Sequence, residues 1–308
     1  MLIESVPLSR SKQAELSLIA ITLIWGLTFS LVKLSLELIS PFVFMSYRFT
    51  LAFLILGALT ARRIRDVDMG MLKAGLLLGV FLFSAYSFQT FGLQYTTAGN
   101  AGFITGLFVV FTPILSFVIL RKRPSWRSIV SVTVATVGLG LLSLQPCLRI
   151  NTGDALILAC AFSLALHIIY MDRYVKLYDL QLLTMLQMGV MAVANTASGL
   201  IFEDFIFPTS GYVLLTIFVC GIFASALAFY VQGWAQRRIS PVRTSVIMIM
   251  EPVFSVIFGM IILGERLTWR GWLGCALILV AMMLTELKTE RGGGKPSRNT
   301  AKMSDFQG

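Results

Sequence analysis

The sequence predicts an all-α integral membrane protein of ten transmembrane helices, arranged as two inverted five-helix repeats with both termini in the cytoplasm. Three observations carry that prediction. First, 57% of the 308 residues are hydrophobic and only 13% are charged, with a mean hydropathy of +0.84, more apolar surface than a water-soluble domain can hide. Second, apolar stretches of about 20 residues, the length needed to cross ~30 Å of hydrocarbon as a helix, recur along the chain with little between them. Third, "LRKRPSWR" at 120–127 returns as "LGERLTWR" at 263–270, 143 positions on.

The spans fall near 16–36, 41–61, 71–93, 100–120, 127–145, 153–172, 181–202, 211–233, 242–263 and 269–287. Alternation with period two is absent, so helices rather than a barrel satisfy the backbone in lipid. The first span follows Arg10 and Lys12 like a signal peptide, but it is too long and lacks a small-x-small cleavage site, so it stays as a helix. The organisation is a cytoplasmic N-terminus (1–15), a first repeat (16–145), a second repeat (153–287) and a Gly/Ser-rich basic tail (288–308).

Cys147, Cys160, Cys220 and Cys275 show no CxxC spacing and no histidine at ligand distance, so they read as small core residues, with no metal and no cofactor. The net charge of +10 is not a nucleic-acid signal, because the basic residues sit in short connections between spans. With a cytoplasmic N-terminus, the inner side collects 20 of the 25 Lys and Arg, including Arg62, Arg63, Arg65, Arg121, Lys122, Arg123, Arg237 and Arg238. The outer side holds four, Lys33, Arg149, Arg266 and Arg270, and Arg48 lies within a span. That asymmetry fixes the orientation.

At the 143-residue offset Tyr86 matches Phe229, Gln89 matches Gln232, Phe111 matches Phe254 and Trp126 matches Trp269. An odd number of spans per copy turns the second copy over, so the connection at Arg121–Arg123 lies inside and its counterpart at Gly264–Arg266 outside; the repeat keeps its tryptophan and loses its charge. Inverted repeats with proline-interrupted helices are the architecture of secondary transporters, whose substrate sits near the midplane. Pro113 in span 4 and Pro252 in span 9 are the interruptions, and they read either as gates or as structural kinks, freeing the carbonyls of Val109 and Met248.

"LIWGLTFSLVKLSLELISPFVFMSYRFTLAFLIL" resembles the first two helices of the EamA-type branch of the drug/metabolite transporter superfamily, through Trp25, Gly26, Lys33, Pro41, Arg48 and Ala52. "TGDALILACAFSLALHIIYMDR" and "EPVFSVIFGMIILGERLTWRGWLG" are similar to the family's sixth helix and to its ninth and tenth. The likeness covers roughly residues 16–287. It departs at Arg121-Lys122-Arg123, where the family has Gly-Glu-Arg, and at Phe162, where amino-acid exporters often carry Trp. The resemblance implies a multi-pass protein of a bacterial inner membrane that exports small metabolites, amino acids among them, and the other reading within the superfamily is export of cationic drugs.

Polar and aromatic residues in mid-membrane mark the candidate site. They are Trp25 and Thr28 in span 1, Tyr86 and Gln89 in span 3, Phe162, Ser163 and His167 in span 6, and Gln232 in span 8. The aromatics also fit a packed core, the glutamines interhelical hydrogen bonds, and the lone histidine a packing role. Arg48, roughly 10 Å below the outer boundary, suits a structural or gating role. Glu251 is the only acidic residue near the middle of any span. It either pairs with a cation such as Arg48, faces a wet cavity, or carries a coupling proton. The expected partners are a small-molecule substrate, the lipid bilayer and the proton, with the chain a monomer. No Gly-x-Ser-x-Gly or HExxH motif and only one histidine argue against an enzyme; a channel would show a repeated polar filter, and a membrane ligand sensor is the remaining rival.

Overall fold

A computed structural model describes residues 9–93, 95, 104–121, 123–143, 152–263 and 266–286. Cys147 and Arg149, Lys122, Gly264 and Glu265, and the tail from 287 lie outside the described residues. Every regular element among the described residues is helical. The helices are α1 (Arg10–Ser35), α2 (Pro41–Thr60), α3 (Met69–Leu93), α4 (Ile104–Leu120), α5 (Trp126–Ser143), α6 (Thr152–Tyr174), α7 (Leu180–Phe202), α8 (Gly211–Gln236), α9 (Pro241–Leu263) and α10 (Trp269–Glu286). Seven of them, α1–α3 and α6–α9, are long and apolar enough to cross a membrane; α4, α5 and α10 are shorter apolar helices.

Four helices differ from expectation. Helix α1 begins at Arg10 rather than near 16, because Ser9 Oγ accepts from the Lys12 N–H and caps the first turn. Helix α8 is not uniform, since Ile222–Leu227 widens into a π turn between α-helical halves. Helices α4 and α9 are each interrupted, at Leu107 and at Ile249. These breaks are 142 residues apart, closer to register than the two prolines, so the interruption belongs to the repeat and each proline sits C-terminal to it. At the end of α4, Arg121 takes the left-handed conformation (φ 53°) and its N–H bonds Ser116 O.

The two halves repeat each other in detail. The connection after α1 is closed by Leu36, Leu38 and Ile39 N–H groups bonding Val32 O and Ser35 O; 139 residues on, Val175, Leu177 and Tyr178 bond Met171 O and Tyr174 O in the same pattern. Helices α5 and α10 match end to end, 143 residues apart. The packing obeys the same exchange: α2 lies on α7 and α5 on α10, while α3 on α6 and α7 is answered by α8 on α1 and α2. Helices α2 and α7 run antiparallel. The carboxylate of Glu203, ending α7, accepts from the Phe42 and Val43 N–H groups that start α2 (3.2 and 3.1 Å). Ser46 meets Thr196 (2.6 Å), and beyond the far end of α2 Arg63 pairs with Asp179, the N-cap of α7 (2.6 Å). A repeat unit and its copy are therefore inverted.

Helices α1 and α9 run side by side in the same direction. Near their first turns the buried Glu15 pairs with Arg243. Further along, Gly26 permits a close crossing, since a Cβ there would stand 2.6 Å from Phe254 Cβ and 2.8 Å from Ser255 N.

Candidate functional site

The π turn of α8 organises the centre of the bundle. Widening a helix by one residue breaks the regular hydrogen-bond ladder and turns carbonyls toward neighbours. Ala224 O, within the π turn, accepts from Trp25 Nε1 (2.8 Å) on α1 and from Arg48 Nη2 (3.4 Å) on α2. The adjacent Ser225 Oγ accepts from Arg48 Nε (2.8 Å). Gly221 lets α2 come this near: a Cβ there would meet Leu51 Cδ2 at 2.9 Å and Arg48 O at 3.0 Å.

Aromatic rings enclose these groups. Trp25 and Phe229 stand 5.7 Å apart, and Phe49 meets Tyr86 edge-on at 5.6 Å. The Arg48 guanidinium lies 5.1 Å from the Phe49 ring centre and 5.6 Å from that of Tyr86, within cation–π range. On α6, His167 places its ring 5.9 Å from Phe229 and its Nε2 3.0 Å from Gln187 Oε1 on α7. Trp25, Arg48, His167 and Gln187 are all buried. Half-buried Glu251, on α9, completes the set within electrostatic reach of Arg48, Tyr86 and Cys160. Among the described residues no ion pair joins Glu251 to Arg48.

Of the residues singled out in the sequence, the structure thus gathers Trp25, Arg48, Tyr86, His167 and Glu251. Thr28 and Ser163 are buried but return their hydroxyls to their own helices, at Trp25 O and Ala159 O. Gln232 is buried one turn beyond Phe229, donates to Gln236 Oε1 (3.4 Å), and keeps an Oε1 with no partner among the described residues. Gln89, near the end of α3, reaches Thr105 Oγ1 (3.5 Å) on α4. Phe162 stands apart: it is 43% exposed and packs edge-on against Phe111, because its position on α6 turns it away from the His167 face. Pro113 is buried in α4 and Pro252 half-buried in α9, one in each repeat.

Sequence reasoning missed Ser225, the Ala224 carbonyl and Gln187. A signal for Gln187 existed. The first two helices of each half align at an offset of 139 rather than 143, which sets Arg48 against Gln187, Thr28 against His167 and Trp25 against Leu164. A groove of about 800 Å³ opens elsewhere, between the α1–α2 connection and the end of α7, lined by Leu36, Leu38, Leu200, Phe202 and Glu203. It lies between the α1–α2 connection and the end of α7, and its Glu203 carboxylate is engaged in capping α2.

A bundle of apolar helices in two inverted halves, with charge and aromatic rings collected where the halves meet, defines a multi-pass membrane transporter. The family model for EamA-like transporters matches twice, over residues 12–144 and 151–287, and the chain belongs to that family. It is 34% identical over 275 residues to an uncharacterised transporter of Archaeoglobus fulgidus, covering 89% of this chain and 86% of the relative. It is 25% identical to the uncharacterised transporter YcxC of Bacillus subtilis, covering 92% and 96% of the two chains. A crystal structure at 18% identity shares the fold, with a TM-score of 0.78 over 92% of this chain and 99% of that one.

Proposed function

We propose that this transporter exports small metabolites, amino acids with apolar or aromatic side chains, from a bacterial cell across the inner membrane. All ten helices span the bilayer, both termini face the cytoplasm as the lysine and arginine distribution requires, and the monomer works by alternating access around the centre described above. The observation that carries this reading is the convergence of Trp25, Tyr86, Phe229, Arg48 and Glu251 from both halves on one buried place. Rings accept an apolar or aromatic side chain, and a carboxylate in a low-dielectric surround is a strong partner for an ammonium or a proton.

Glu251 then serves as the coupling group: an inbound proton neutralises it and an outbound substrate amine takes the proton's place. The test is gradient-driven transport in proteoliposomes. Glu251→Gln is expected to fold but to lose all dependence on the pH gradient. Gradient-driven accumulation by the glutamine variant would overturn the coupling role. A second reading, export of lipophilic cations, draws on the same carboxylate among aromatic rings. Resistance of overproducing cells to lipophilic cations alone, and not to toxic amino-acid analogues, would favour it.

A further inference from the structure

Resting on the amino-acid reading, we propose that Arg48 is the subsite for the substrate's carboxylate, so that the centre grips a zwitterion between Arg48 and Glu251. A buried cation in a membrane bundle is costly unless an anion or several strong acceptors compensate it. Arg48 is 5% exposed, yet its hydrogen bonds go to two neutral acceptors, Ser225 Oγ and Ala224 O. Among the described residues no carboxylate pairs with it, and its Nη1 has no hydrogen-bond partner. The short bond from Nε to Ser225 fixes the guanidinium, whereas the bond from Nη2 is long at 3.4 Å and readily exchanged. The Nη1–Nη2 edge is therefore free to take a carboxylate through two parallel N–H···O bonds, the arrangement for which a guanidinium is shaped.

The other half of the molecule shows that packing does not demand this charge. The position equivalent to Arg48 is Gln187, which is equally buried and hydrogen-bonds His167. The guanidinium is a feature of one half alone, placed within electrostatic reach of Glu251 without closing onto it. A cation and an anion that are near each other but not paired match the two ends of an amino acid, with Tyr86 and Phe49 beside the carboxylate end.

The experiment measures binding of three probes to the purified full-length chain: L-phenylalanine, 3-phenylpropionate (no amine) and phenethylamine (no carboxylate). The wild type is expected to bind L-phenylalanine more tightly than phenethylamine. Arg48→Gln, which copies the residue of the other half, is expected to weaken L-phenylalanine and 3-phenylpropionate by about tenfold or more while leaving phenethylamine within about twofold. A folded Arg48→Gln chain that keeps its affinity for both carboxylates overturns the proposal, as does a wild type that fails to prefer L-phenylalanine to phenethylamine. Should the glutamine variant not fold, Arg48→Lys keeps the charge and loses the fork; it is expected to lose several-fold in carboxylate affinity, and an unchanged value overturns the proposal equally. Arg48-dependent binding in which 3-phenylpropionate equals L-phenylalanine leaves the carboxylate subsite standing and removes the amino-acid reading instead.

Discussion

Helices α3 and α8 hold the same place in the two halves, 143 residues apart, and differ where it matters. Helix α3 is regular, and at the positions matching Ala224 and Ser225 it carries Phe81, stacked on Tyr170 at 5.5 Å, and the fully buried Leu82. Helix α8 opens into a π turn there and offers a carbonyl and a hydroxyl to Trp25 and Arg48. The same division recurs between Trp25 and Leu164, and between Arg48 and Gln187. The two halves share their packing pattern, and the groups they send to the centre differ.

That comparison can be broken most forcefully at Glu15. Its pairing with Arg243 fastens α1 to α9, and Glu15→Gln removes the buried anion of that pair from the partly buried Arg243 at a cost of about 3 kcal/mol. Thermal unfolding in detergent is expected to fall by on the order of 10 °C, and the swap Glu15→Arg with Arg243→Glu to regain much of it. A Glu15→Gln chain as stable as the parent would show that charge does not fasten these helices.

A smaller effect sharpens the comparison at Gly26, whose equivalent in the second half is the buried Ala165. Gly26→Ala must push α1 off the α9 backbone and is expected to cost about 1–3 kcal/mol, whereas Ala165→Gly loses only the helix preference of alanine, about 1 kcal/mol. Equal losses in the same unfolding measurement would mean that the halves cross at the same distance.

The smallest effect lies at the α7 N-cap. Burial pushes the Asp179 carboxyl up, but the hydrogen bond from Arg63, those from the Leu182 and Gln181 N–H groups and the Arg63 charge hold it below its ordinary value. A carboxyl so lowered contributes stability above its unfolded value of 3.8 and loses it as pH falls through the lower folded value. Because both side chains are partly exposed, screening keeps the effect small. Comparing the parent with Asp179→Asn at neutral pH and near pH 3 is expected to show a modest gap that narrows in acid. A gap that widens in acid would reverse the sign.

The helices were legible because a bilayer demands length: a run of about 20 apolar residues has few other uses, and each of the ten expected runs overlaps a described helix, seven of them long enough to cross a membrane. The buried partner of Trp25 was foreseeable because an indole N–H in mid-span needs an acceptor. The π turn was not, since Ile-Phe-Ala-Ser-Ala-Leu is an ordinary apolar run and the groups that meet it come from other helices. The exposure of Phe162 was not legible, because one helical face cannot be told from the next when both are apolar. The Arg48–Gln187 equivalence was hidden by a four-residue change of register between the front and back of each half.

Arg121 bears on how the two copies diverged after duplication. It holds a left-handed conformation that costs an arginine about 1 kcal/mol and glycine nearly nothing, and the residue 143 positions later is Gly264. The first copy thus keeps a cation where its own backbone would favour glycine. On the cytoplasmic placement proposed above, the benefit of that cation is realised once, while the ribosome is still feeding the nascent chain into the bilayer, and the backbone strain remains for as long as the folded protein lasts. On that placement the corner sets a signal for orientation against the resting stability of the finished molecule.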